Sequence, residues 1–409
     1  DWAGTFPTKA VSVPCEGEEM QKRLQGETYE MPADAQDKYA GFTQGSADEE
    51  AEILFVEMRG EAYDSPKWET FLDQLTIEEM ATLLANMHGS QAIARVGLPQ
   101  IIGGDGCNGT DIPFGDTIGY GDKAENYYVH FGGNFTSVLA ATWNKELQAR
   151  RGELMAEEML FMGINETWSG GGDLRRTPFS GRNYEYYSED ANVSYLVGMT
   201  EMSAMQAKGI NAGIKHFAGN DWETQRNREQ AFREGSLRGF EGAMRDDKGG
   251  ALAAMGIYGR QGLTYSPACY SLNKTVLRDE WGFQGHIITD AAVDDYASHF
   301  VEQLMGYNDS FCFDMGGAST AGIIEHITTY QDGYVLERLR DATRNTLYSY
   351  TLTSAVNGLS PDTRIIYMEP WWIGALNTAI TVSAILTAGC AAMLVLSTFV
   401  FGKKKEENR

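Results

Sequence analysis

Short apolar runs alternate with amphipathic stretches of about ten to twenty residues through the middle of this chain, and no other feature restricts its fold as strongly. The runs are LPQII, LFMGIN, INAGI, ALAAMGIY and GHIIT, and the segments between them, such as NKELQARRGELMAEEM, have helical spacing. Strands alternating with helices predict a parallel sheet. Over about 290 residues the predicted fold class is α/β, a (β/α)8-type TIM barrel with room for irregular strands. A doubly wound sheet is the runner-up, but no GxGxxG opens a helix after the first strand. No repeat of solenoid length is visible.

The flanks read differently. Residues 1–65 mix acidic and polar stretches such as GSADEEAE with weak periodicity, predicting a linker or wrapping arm. From Lys67, WETFLDQLTIEEMATLLANM has apolar residues at helical spacing, and Thr76 with Glu79 predicts a capping box for a helix starting near Ile77. The barrel is placed at 66–350 and a juxtamembrane stalk at 351–370. Between Ile373 and Gly402 there is no Asp, Glu, Lys, Arg or His. A helix of that length reaches about 45 Å, more than the roughly 30 Å of a bilayer's hydrocarbon core. With Trp371 and Trp372 at one end and Lys403, Lys404 and Lys405 at the other, the prediction is a single-pass cell-membrane protein. Its transmembrane helix is 371–402, its barrel is outside and its tail, 403–409, is cytoplasmic. The chain opens at Asp1 with neither Met nor a basic-then-apolar leader, and reads as a fragment or a processed product.

Composition narrows the partners. Lys and Arg number 33 against 57 Asp and Glu, a formal charge of −24 that opposes binding to phosphate backbones. Nucleic acid is therefore not expected, whereas neutral ligands such as sugars are indifferent to that field. Cys15, Cys107, Cys269, Cys312 and Cys390 lie far apart, and the histidines form no HExxH, so neither a metal nor a cofactor is expected.

Several apolar runs stop abruptly at a polar or ionisable residue. LPQIIGGDG reaches Asp105, INAGIKH reaches Lys215 and His216, ALAAMGIY reaches Tyr258, and GHIITD reaches Asp290. In a parallel barrel such termini converge on the face that carries active sites. Each alone is explained as well by a helix cap or a surface turn; together they point to a pocket. Carboxylate, Lys, His, Arg and Tyr side chains can grip sugar hydroxyls, and a retaining glycosidase needs a carboxylate nucleophile with a second carboxyl group about 5 Å away. Asp290 is the natural nucleophile candidate, or else the cap of the following helix. His216 as a metal ligand or general base lacks partner histidines and an orienting carboxylate.

Three segments, SGRNYEYYSED, IKHFAGNDWETQR and LRDEWGFQGHIITD, resemble successive signatures of the family-3 glycoside hydrolases, in that family's order and spacing. FLDQLTIEEMATLL, and GGDGCNGT after RVGLPQ, resemble the family's start, so the similarity runs from about Trp68 to Tyr350. The resemblance implies that Asp290 is the catalytic nucleophile. It also implies a glycone-binding set of Asp105, Arg182, Lys215, His216 and Tyr258, braced by Arg226, with Tyr258 close enough to donate to Asp290.

Two positions depart from the family pattern: Ala291 stands where Trp often follows the nucleophile, and Gly259 where Asn usually follows the tyrosine. Both predict an altered pocket wall. FAGNDWETQR lacks the PG-rich loop of the N-acetylhexosaminidase branch, which favours the β-glucosidase-like one. The implied function is a membrane-anchored retaining exo-glycosidase acting on terminal, β-linked, glucose-like residues of an oligosaccharide or glycoside. The alternative is a catalytically weakened sugar-binding surface protein of the same fold. In this family the acid/base is usually a Glu from an α/β sandwich domain after the barrel. DWAGTFPTK resembles the joining segment of relatives with reversed domain order, so that domain is expected upstream in the full-length chain.

Overall fold

The structure, a computed structural model, describes residues 16–86, 89–109, 136–220, 229–245, 247–291, 299–312, 314, 317–366 and 371–406. It forms two compact units, Asp1–Ile365 and Ile366–Arg409.

The first unit is built on parallel strands: β1 (Ala85–Asn86), β2 (Gly103–Asp105), β3 (Glu166–Gly171), β4 (Asn211–Phe217) and β5 (Ala253–Gly256). A hairpin of β6 (Arg260–Gln261) and β7 (Thr264–Tyr265) follows, then β8 (His286–Ile288) and β9 (Phe311–Cys312). Five strands pair in the order β2-β3-β4-β5-β8, and β1 pairs in parallel with β9. A parallel bridge between Ile288 and Ser310 joins the two sets. Ser90 and Ile101, in the segment from β1 to β2, exchange backbone hydrogen bonds of 3.1 and 2.9 Å. The strands thereby return on themselves as an irregular, TIM-barrel-like α/β ring whose interior is filled by Trp168, Ala253, Met255, Ile288 and Cys312.

Local chemistry explains the element ends. Glu79 N donates to Thr76 Oγ1 at 3.1 Å and Thr76 N to Glu79 Oε2 at 3.0 Å, the capping box expected from sequence, and the helix spans Ile77–Leu84. Helix Lys145–Met162 starts on the Asn144 side chain and stops at Gly163, whose φ of 77° suits the left-handed cap. Helices Ala191–Ala207 and Gly333–Thr351 start on the carboxylates of Asp190 and Asp332.

WETFLDQLTIEEMATLLANM holds two helices, Lys67–Asp73 and the expected one over Ile77–Leu84, followed by β1, because Thr76 caps anew and Ala85–Asn86 pair with β9. Two strand readings are corrected. LPQII is not a regular strand: Ile101 pairs with Ser90, and β2 lies in the glycines beyond it. LFMGIN is helix to Met162, with β3 beginning only at Glu166, since Gly163 interrupts the run.

Residues 16–65 form short helices, Glu18–Gln25 and Ala35–Ala40, and lie on the barrel's flank. Ala35, Phe55 and Met58 are buried, and Tyr29 and Lys38 bond Asp332 and Glu337, both at 2.9 Å. The second unit is one helix, Trp371–Glu406, which by length and composition could cross a membrane over Trp371–Ser397. It continues past Gly402 into the lysines.

Candidate active site

The C-terminal ends of β2, β4, β5 and β8 carry five of the sequence-selected residues to one face of the ring. Asp105 is the last residue of β2, and its Oδ1 accepts from the Gly106 amide at 2.7 Å and from Lys215 Nζ at 2.5 Å. Lys215 and His216 are within β4, both almost fully buried. Tyr258, half-buried, lies two residues past β5, and Asp290 two past β8. Arg226 lies outside the described residues.

Arg182 comes from the long segment after β3, and Gly171 allows that segment to close over the strand end. A Cβ on Gly171 would sit 1.9 Å from Glu185 O, while Tyr187 N donates to Gly171 O at 3.1 Å. Arg182 donates through Nε and Nη2 to the two oxygens of Glu185, both at 2.8 Å, a bidentate pair that fixes the guanidinium plane. Lys215 Nζ is 3.9 Å from the same carboxylate. Burial works to raise the Glu185 pKa, but Arg182 and Lys215 outweigh it and hold the group below its ordinary range. Burial likewise opposes the charge on Lys215, and Asp105 and Glu185 reverse that, so the ammonium stays charged.

Asp290 is different. Its Oδ1 accepts from the Ala291 amide at 2.8 Å, whereas its buried Oδ2 has no hydrogen-bond partner among the described residues. His216 Nε2 is 3.7 Å from Oδ2. Burial pushes the Asp290 carboxyl up to about 6, against the pull of the Ala291 amide, Arg182 and Lys215. The imidazole of His216 moves the other way: burial, then Arg182 and Lys215, hold its pKa well below the usual value, so it is neutral. The site thus combines a carboxylate oxygen with no partner among the described residues, a buried Lys215 ammonium, a partly buried Arg182 guanidinium and a neutral imidazole. Such a set can hold hydroxyls from several sides and leave one oxygen for chemistry.

Two residues of this site were not selected from sequence. Glu185 lies within SGRNYEYYSED, where Glu185, Glu189 and Asp190 compete; Glu189 is exposed and Asp190 caps a helix, a sorting that only the fold supplies. Asp173 ends the run ETWSGGGD in the manner of the other strand ends, so the same pattern could have found it. It is fully buried and accepts from the amides of His216 (3.0 Å), Gly219 (2.7 Å) and Asn220 (2.9 Å), fixing the turn after β4. Among the described residues no group of three or more His, Cys, Asp or Glu side chains is placed to hold a metal.

Comparison with known proteins finds relatives over part of the chain. Residues 130–306 match the glycosyl hydrolase family 3 N terminal domain, a range that holds Arg182, Lys215, His216, Tyr258 and Asp290. A beta-glucosidase of Rhizobium radiobacter is 33% identical over 227 residues, covering 54% of this chain and 26% of that relative. Over residues 130–306 this chain is similar to the family-3 glycoside hydrolases. An exo-alpha-(1->6)-L-arabinopyranosidase of Bifidobacterium longum is 28% identical over 278 residues, covering 65% of this chain and 34% of that protein. Beta-glucosidase 3B from Thermotoga neapolitana, in complex with alpha-D-glucose, superposes with a TM-score of 0.63 at 28% identity, over 71% of this chain and 43% of that one. The chain therefore spans about a quarter to a third of the length of the curated relatives it matches.

Proposed function

We propose that this chain is the (β/α)8-type barrel of a retaining exo-β-glucosidase in which Asp290 is the nucleophile. The observation that carries the reading is the position of Asp290: past the end of β8, anchored through one oxygen, with no hydrogen-bond partner for the other among the described residues and His216 beside it. In the first step that carboxylate attacks the anomeric carbon and the aglycone oxygen leaves with a proton; in the second, water attacks the glycosyl ester and the carboxylate is released. Asp105, Arg182, Lys215 and His216 hold the sugar hydroxyls, Tyr258 donates to Asp290, and Arg226 braces the cluster. A terminal glucose-like residue fits these paired donors and acceptors, and the beta-glucosidase relatives support that class. The acid/base is assigned to a sandwich domain of the full-length protein, consistent with the limited share of the relatives that this chain covers. A 2-fluoro glycoside with a good leaving group should trap the glycosyl-enzyme on Asp290. Labelling of another carboxylate would overturn the assignment, and sugar binding without any turnover would favour the weakened sugar-binding protein instead.

The titration of Asp290 sets the expected pH dependence. Only the ionised carboxylate attacks, and its pKa is about 6. As the pH falls through 6, kcat/KM of the free enzyme should fall, reaching about tenfold per unit below it. A pH profile with an aryl glucoside checks this; an acid limb near 4 would mean that burial does not govern the group.

We place the domains as an arm over 1–65, the barrel over 66–350, a stalk over 351–370, the anchor over 371–402 and the tail over 403–409. The barrel is on the outside of the cell membrane and the tail in the cytoplasm. Truncation before Trp371 should release the barrel from membranes in an alkaline wash, and protease added to intact cells should remove the barrel. Resistance of the barrel on intact cells would reverse the orientation.

A further inference from the structure

Tyr186, next to Glu185, is fully buried and belongs to no role assigned above. Its hydroxyl is 3.3 Å from His216 Nδ1 and 3.0 Å from Asn220 Nδ2. The amide nitrogen of Asn220 is a donor only, so the tyrosine oxygen accepts from it and directs its own proton to Nδ1. Nδ1 is then an acceptor, and a neutral imidazole with an accepting Nδ1 carries its proton on Nε2. His216 is neutral in this environment, as derived above. Nε2 faces Asp290 Oδ2, which has no hydrogen-bond partner among the described residues, at 3.7 Å.

We propose that Tyr186 is a positioning residue that locks His216 as its Nε2–H tautomer, so that the imidazole presents a donor to the free oxygen of Asp290. This rests on the reading of Asp290 as nucleophile. The backbone favours the arrangement, because the same Asp173 carboxylate takes the amides of His216 and Asn220 and so fixes both ends of the relay. The Tyr186 and His216 rings meet edge to face, 6.3 Å apart at 81°, which restricts rotation of the imidazole. At 3.7 Å the Nε2 to Oδ2 contact is longer than a hydrogen bond, and it shortens when Asp290 ionises. A neutral donor supports the carboxylate without giving up its proton, whereas the Nδ1–H tautomer would aim a lone pair at it. The other charges acting on Asp290 are Arg182 and Lys215, which favour its ionisation, and Asp105, which opposes it.

Histidine labelled with 15N in the full chain tests this directly, with His216→Gln identifying the His216 signals. The wild type should show a protonated Nε2 and a bare Nδ1 at neutral pH, a readout that needs no turnover. In Tyr186→Phe that preference should be lost, and the acid limb of kcat/KM with an aryl glucoside should rise by about half to one pH unit. A wild-type imidazole protonated on Nδ1 would overturn the proposal, as would a folded Tyr186→Phe protein with tautomer and acid limb both unchanged. If the fluoro glycoside labels Asp290 while the tautomer is Nδ1–H, the relay alone fails. If the label lands elsewhere, the nucleophile assignment fails whatever the tautomer.

Discussion

Asp290→Asn should lower kcat on aryl glucosides by about 10⁴-fold or more, since an amide can neither attack the anomeric carbon nor leave from it. The same substitution should make the protein more stable at neutral pH, which separates loss of chemistry from loss of fold. The sign follows from the titration. The folded carboxyl has a pKa of about 6 against an ordinary 3.8, so its contribution to stability is full below 3.8 and is lost as the pH rises through 6. At about 1.4 kcal/mol per pH unit the ionised side chain opposes folding by about 3 kcal/mol at pH 7. Asn removes that charge and still fills the space. Thermal melts should show the variant several degrees above the wild type at pH 7, with the electrostatic advantage vanishing below pH 4. A variant less stable than the wild type at pH 7 would mean that an unseen partner holds Asp290 ionised. Retained turnover would remove it from the reaction.

Much of this site was legible because a parallel barrel converts a sequence rule into a place: the residue that ends an apolar run lies at the pocket. Asp105, Lys215, His216, Tyr258 and Asp290 are all found by that rule, and their chemistry suggests sugar before any resemblance is used. What the rule leaves out is the chain that returns over the strand ends. Arg182 comes from motif resemblance alone, and Glu185, which holds its guanidinium, depends on Gly171 letting the segment lie against β3. Local errors have one cause as well. LFMGIN and LPQII are apolar runs only partly buried, with Phe161 exposed, and apolarity alone does not say whether helix, strand or turn carries it. Gly163 and the Ser90–Ile101 pair make that choice. The Thr76–Glu79 box was readable because its two hydrogen bonds are local, with both partners within three residues.

Lys215→Met is expected to have the next largest effect, because in the proposed reaction the ammonium serves the fold and the chemistry at once. Its Nζ sits between Asp105 at 2.5 Å and Glu185 at 3.9 Å, with the side chain only 3% exposed. Methionine keeps the length and the apolar stem but leaves these carboxylates without that cation. Breaking a buried pair in this way costs about 3–5 kcal/mol, softened here because Asp105 is partly exposed and Glu185 retains Arg182. On the reaction side, Lys215 pulls the Asp290 pKa down. Without it the acid limb should move above pH 6, so the loss in kcat/KM should be greatest at low pH. Together with the lost grip on the sugar, the fall at neutral pH should be about 10³-fold, some of it in KM. A change confined to stability, with the pH profile and KM of the surviving folded protein intact, would make Lys215 a structural cation only.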